Sequence, residues 1–181
     1  DLGVDQVKIY KFNDETGKIT LVDMLRCELE SAPRIIKFSP DGRFAYLICE
    51  LKNYISVYSY KDGPRGPVFE LVQTISTLNE YHSKGSAACV LRFSRDWNYV
   101  LCSNAGDNSV GIFKIDRETG MLEKICILPI SGDYPKAIDF FPDNQHIMSL
   151  NHESNTITTF EVHYDKKYFA AKGKPISIET P

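Results

Sequence analysis

Apolar and polar residues alternate along most of this chain in short runs. The stretches "RIIKF", "RFAYLIC" and "YISVYSY", between residues 34 and 60, are typical. Alternation with a period of two places successive side chains on opposite faces of a strand. A helical period is nearly absent, so the chain predicts strands and almost no helix. Pairs such as Asp-Gly, Asp-Asn and Thr-Gly separate the strands. They suit tight turns, because Gly and Asn tolerate positive φ.

The pattern repeats at long range. "DLGVDQVKIYKF" from Asp1, "CELKNYISVYSY" from Cys49, "NAGDNSVGIFKI" from Asn104 and "NHESNTITTFEV" from Asn151 align. Each has a polar turn, a fixed Asp or Asn, and an alternating strand that carries an aromatic. The fixed residues are Asp5, Asn53, Asn108 and Asn155, at separations of 48, 55 and 47. A second element precedes three of these copies: "FSPDGRFAYLIC" from Phe38, "FSRDWNYVLCSN" from Phe93 and "FFPDNQHIMSLN" from Phe140. Its weakest copy carries Asp96-Trp97 at the turn. A third element, "ETGKITLV", "GPVFELVQ" or "ETGMLEKI", supplies a further strand.

Each unit therefore holds about four short strands in roughly 50 residues, the signature of a β-propeller blade. The fold class expected is all-β, with blades of four antiparallel strands and about three and a half blades in this chain. The expected organisation is one propeller domain or fragment: a partial blade at 1–31 and blades at 32–86, 87–134 and 135–181. Tyr58, Phe113 and Phe160 fall at equivalent positions and are expected in the core between blades. Propellers close with four to eight blades. An open arc would leave strand edges bare. The chain is thus expected to be the C-terminal half of a larger propeller, with an N-terminal half as its partner. Assembly with a second chain and closure into a ring of about four blades are the alternatives.

Composition adds little to this and excludes some functions. The 181 residues suffice for a real core. A net charge of -3, from 21 basic and 24 acidic residues, gives no reason to expect nucleic acid or an anionic membrane. No apolar run approaches the ~18 residues of a membrane span. The five cysteines, Cys27, Cys49, Cys89, Cys102 and Cys126, form no CxxC pair. They are expected as reduced thiols, which points to the cytoplasm. His82, His146, His152 and His163 lack ligand spacing with them, so neither metal nor other cofactor is expected. GxSxG, HExxH, P-loop and GxGxxG motifs are missing from the chain.

The ordered set "DLG", "PR", "SPDGRFAY", "EL" and "GDYP" resembles the seven-bladed propeller lactonase family. That family includes propeller-type 6-phosphogluconolactonases and is related to a carboxy-muconate lactonizing enzyme. The similarity covers essentially all 181 residues, as the second half of a member. The resemblance implies a site in the central channel, at the ends of the innermost strands, built from a histidine, two arginines and a glutamate. The histidine lies upstream of "DLG", outside this chain. The first arginine corresponds to Arg34 and the glutamate to Glu50. Lys136 stands where the second arginine is usual. Ile35 replaces a usual histidine, and Ala105 replaces a usual arginine. Lysine at 136 keeps the charge but loses the planar fork that grips a phosphate.

Repeat register gives an expectation that does not depend on the family. It aligns Glu50 with Ala105, His152 and Leu2, and Arg34 with Ala88 and Lys136. Glu50 and His152 should face one channel, with Arg34 and Lys136 in the neighbouring layer. Opening a lactone requires a base for water, stabilisation of an oxyanion and a grip on the substrate's charge. Glu50 and Arg34 are the catalytic candidates. Lys136 and His152 are the candidates for binding an anionic sugar lactone. A structural Arg34–Glu50 ion pair is the competing reading. Asp1 and Asp5 read as turn residues and Lys52 as solvated. His82 and Lys84 lie in a loop long enough to cover a channel mouth. Hydrolysis of a phosphorylated sugar lactone is the leading function. A non-catalytic propeller that binds a metabolite or protein is the alternative, and a lyase or cycloisomerase would share the site.

Overall fold

The computed structural model describes residues 1–64, 66–80 and 85–181. Strands β1 (Gln6–Phe12) and β2 (Ile19–Arg26) form an antiparallel pair. The second sheet holds β3 (Pro33–Phe38), β4 (Phe44–Cys49), β5 (Tyr54–Gly63) and β6 (Gly66–Ser76), in that order. The third holds β7 (Ala88–Phe93), β8 (Tyr99–Asn104), β9 (Ser109–Ile115) and β10 (Leu122–Pro129). The fourth runs through β11 (Pro135–Phe140), β12 (His146–Asn151), β13 (Thr156–His163) and β14 (Tyr168–Ala171), while β15 (Ile176–Ser177) also pairs with β13. Among the described residues there is no helix. The chain is an all-β series of antiparallel propeller blades.

Alternation explains how the sheets stack. On β4, Phe44, Tyr46 and Ile48 pack toward the third sheet, against Leu91, Val100 and Phe113. Their neighbours Ala45, Leu47 and Cys49 pack the other way, with Val7 and Leu25 of the β1–β2 pair. Val90, Leu101 and Ile112 of the third sheet meet Ile138, Ile147 and Phe160 of the fourth. A strand between two neighbouring sheets buries both faces, and β4 is buried along its whole length. Tyr58, Phe113 and Phe160 are all buried, each toward the preceding sheet, as the repeat predicts.

The fixed residue of each repeat has a geometric task. Asp5, Asn53, Asn108 and Asn155 all adopt left-handed backbone, with φ of 51°, 52°, 52° and 51°. Asp and Asn accept that conformation more readily than other non-glycine residues. Three of their side chains then tie one sheet to the next. The Asp5 carboxylate accepts the N–H groups of Glu30 and Ala32, both at 2.8 Å. Asn53 donates to the Ser86 carbonyl at 3.0 Å. Asn108 accepts the Tyr134 N–H at 2.7 Å and donates to Asp133 at 3.0 Å. The turn at Asp96-Trp97 keeps the geometry of its relatives: Trp97 has φ 57°, against 70° at Gly42 and 57° at Asn144.

Candidate active site

The inner strands β3, β7 and β11 begin with the same irregularity. Pro33 pairs with Cys49, but the next rung joins Ile35 to Ile48. Ala88 pairs with Asn104, and the next rung joins Val90 to Ser103. Pro135 pairs with Asn151, and the next rung joins Ala137 to Leu150. Arg34, Cys89 and Lys136 are therefore the extra residues of three equivalent bulges. A bulge re-aims its side chain out of the ladder. The partner of Arg34 and Lys136 in the third sheet is thus Cys89, not Ala88 as register alone predicted. The one-residue offset arises because Ala88, like Pro33 and Pro135, still belongs to the ladder.

The companion positions follow the second strand of each sheet. The N–H groups of Glu50, Ala105 and His152 donate to the carbonyls of Ala32, Ala87 and Tyr134, at 2.9, 2.8 and 3.0 Å. This agrees with the predicted alignment of those three residues. The Glu50 carbonyl also accepts the Ala88 N–H at 3.0 Å, which stitches the second sheet to the third at this end.

Arg34 and Glu50 meet directly: Nη1 donates to Oε2 at 2.6 Å. The side chains are 36% and 19% exposed, so solvent reaches both. The bond to Glu50 raises the Arg34 pKa, and partial burial opposes it. The Cys89 thiol is buried, and its pKa rises for that reason. Arg34 and Lys136 pull it back, and Glu50 pushes it further up. These four residues thus share one electrostatic neighbourhood. Lys136 itself is exposed. His152 sits beside Tyr134, with ring centroids 6.2 Å apart, and its Nδ1 lies 2.7 Å from the Pro181 carbonyl oxygen.

Tyr134 and Cys89 are the residues that sequence reasoning passed over. Tyr134 lies inside the quoted "GDYP" and is close enough to favour the charged form of Arg34. Its backbone is left-handed, at φ 59°. Cys89 reads by composition only as a reduced thiol, although aligning "APR", "AAC" and "YPK" places it beside Arg34. Lys52 is less free than expected, since Nζ lies 3.3 Å from Glu28. Asp5 stands in a turn, and Asp1 immediately precedes it, its carboxylate accepting the Gly3 N–H at 3.2 Å. His82 and Lys84 lie outside the described residues. Among the described residues no three His, Cys, Asp or Glu side chains gather as a metal site would require. The cysteines are all free thiols. Among the described residues no helix is long and apolar enough to cross a membrane.

The family described as "Lactonase, 7-bladed beta-propeller" matches residues 1–181, and the chain belongs to it. An uncharacterized protein of Lactococcus lactis subsp. cremoris is 34% identical over 160 residues, covering 88% of this chain and 46% of that protein. The 6-phosphogluconolactonase of Bacillus subtilis is 26% identical over 161 residues, covering 89% and 45%. A crystal structure of a putative 6-phosphogluconolactonase from Bacteroides fragilis superposes with a TM-score of 0.85 at 26% identity, covering all of this chain and 51% of the other. The chain spans about half the length of the proteins it matches, so its sheets make up about half a propeller.

Proposed function

We propose that this chain carries one wall of a channel site that hydrolyses a phosphorylated sugar lactone of the 6-phosphogluconolactone type. The remaining blades, expected N-terminal to Asp1, would complete the ring. The observation that carries the reading is the Arg34–Glu50 pair, 2.6 Å apart, at a bulge and a strand end that recur in the neighbouring sheets. A partly exposed ion pair contributes about 0–1 kcal/mol to stability. Holding the sheet together is therefore a weak reason for this pair.

In this reading Glu50 takes a proton from water as it adds to the lactone carbonyl. Guanidinium N–H groups of Arg34 not used by Glu50 stabilise the oxyanion. Collapse of the intermediate breaks the bond to the ring oxygen, which takes the proton back from Glu50. The product is the open hydroxy acid. Lys136 holds the anionic group and His152 the sugar hydroxyls. The five thiols stay reduced in a cytoplasmic setting. Full-length protein should hydrolyse 6-phosphogluconolactone, and Glu50→Gln should lower kcat by about 10²–10⁴-fold. Unchanged turnover in that variant removes Glu50 from the chemistry.

One observation favours a second reading, a propeller that binds a metabolite or protein without turnover. The third sheet places uncharged Cys89 and Ala105 at the two positions where the second has Arg34 and Glu50. Calorimetric binding of 6-phosphogluconate by full-length protein that hydrolyses no lactone would select this alternative.

A further inference from the structure

The junction between the second and third sheets differs from its neighbours at the end that carries Arg34 and Glu50. Four buried oxygens there have no hydrogen-bond partner among the described residues: Asn53 Oδ1, Thr77 Oγ1, Ser86 Oγ and Asn104 Oδ1. Each residue is more than nine-tenths buried. They form one linked set. The Thr77 N–H donates to the Asn53 carbonyl at 2.9 Å, Asn53 Nδ2 to the Ser86 carbonyl at 3.0 Å, and Asn104 Nδ2 to the Thr77 carbonyl at 2.7 Å.

Reversing the amides does not remove the orphans. Each Nδ2 faces a main-chain carbonyl, which can only accept, so each Oδ1 must point elsewhere. At the other junctions protein donors satisfy the counterparts of the two amide oxygens, whereas Ser31 Oγ, the counterpart of Ser86 Oγ, also lacks a partner. Asp5 and Asn108, which correspond to Asn53, accept the N–H groups of Ala32 and Tyr134. Asn151, which corresponds to Asn104, accepts the Ser149 hydroxyl at 2.7 Å. At the place of Ser149 the third sheet has Cys102. Thr77 stands where the other junctions have Cys27, Ile130 and Ile178, each of which donates its N–H to the fixed residue of its own repeat. Two further orphan hydroxyls lie outside the set: Ser103 faces the other side of β8, and Ser31 occupies the place of Ser86 at the preceding junction, where no other member of the set is orphaned.

Buried polar atoms without partners are costly, and a native fold seldom keeps several together unless something outside the chain satisfies them. We propose that Asn53, Thr77, Ser86 and Asn104 bind a monovalent cation, K⁺ or Na⁺, between these two sheets. All four donors are neutral oxygens of the amide and hydroxyl type. Divalent cations are usually held by carboxylates, and none belongs to this set. The cost of burying an ion rises with the square of its charge, so neutral donors suit a single charge. The ion would brace the backbone on which Glu50 meets Ala88.

The test is thermal unfolding of the full-length protein in KCl, NaCl and choline chloride at equal ionic strength. The expected midpoint is about 3 °C or more higher in K⁺ or Na⁺ than in choline, and it rises with ion concentration. Crystals grown in RbCl should show an anomalous peak between Asn53 Oδ1 and Asn104 Oδ1. Cys102→Ser should supply the hydroxyl that Ser149 gives Asn151, and cut the ion dependence by at least half. Equal midpoints in all three salts, or no rubidium peak in the unaltered protein, overturn the proposal and leave those oxygens to ordered water. A folded Cys102→Ser variant with undiminished ion dependence also overturns it.

Discussion

Phe113 and Tyr10 occupy the same place in two repeats and meet opposite fates. Phe113, on β9, is fully buried between the second and third sheets, whereas Tyr10, on β1, is 51% exposed. The residues around them differ in the same way. β9 is buried over most of its length, while β2 exposes Ile19, Leu21, Val22 and Met24. The alternation is similar in both regions. What differs is whether a sheet lies on the far side. In this fold a strand's apolar pattern states what it is able to bury, and the neighbouring sheet decides what it does bury.

The contrast can be broken by mutation. Phe113→Ala should destabilise the protein by about 3–5 kcal/mol, read from its denaturant midpoint. In the 181-residue chain, Tyr10→Ala should cost less than about 1 kcal/mol. In the full-length protein the same change should approach the Phe113 value. An equally small cost there would mean that no sheet covers β1.

A smaller effect is expected where the second and third sheets meet at their opposite end. Gly120 has φ 74°, and a Cβ placed on it would lie 2.4 Å from the Phe44 ring. Gly120→Ala should therefore cost about 2 kcal/mol or more, from backbone strain and from displacement of Phe44. A neutral result would show that Phe44 moves freely, contrary to its burial in the core.

The smallest effect concerns how β1 and β2 are attached. The Ala32 and Glu30 N–H groups hold the Asp5 pKa below its ordinary 3.8. A depressed carboxylate stabilises the fold fully above its unfolded pKa, and the contribution disappears as pH falls through the folded value. Amide exchange in β1 and β2 should thus accelerate relative to β8 and β9 as pH drops below about 4, after correction for intrinsic rates. Asp5→Asn should flatten that response. Parallel behaviour of the two regions in the unaltered protein would show that Asp5 is not the tie.

The fold was largely legible because a propeller writes its architecture several times. Turn residues recur at Asp5, Asn53, Asn108 and Asn155, and buried aromatics recur at Tyr58, Phe113 and Phe160. Each copy supports the reading of the others. The candidate site was legible in part. Arg34 and Glu50 are charged residues at strand ends, and the repeat placed them near each other. Cys89 was misplaced by one residue, because period-two alternation says nothing about where a ladder skips. Tyr134 was hidden by its own type, since an aromatic among strands reads first as core. The four oxygens between the second and third sheets were invisible, because hydrogen-bond satisfaction is a property of contacts and not of composition.

The bulges at Arg34, Cys89 and Lys136 have a consequence for how such a chain can change. The extra residue lies outside the ladder, so its side chain is not chosen by the strand beside it. One backbone socket already accepts a guanidinium, a thiol and an ammonium group in three successive sheets. The scaffold can therefore be rewritten one blade at a time, with the residue at each socket changing while the sheets that carry it stay as they are.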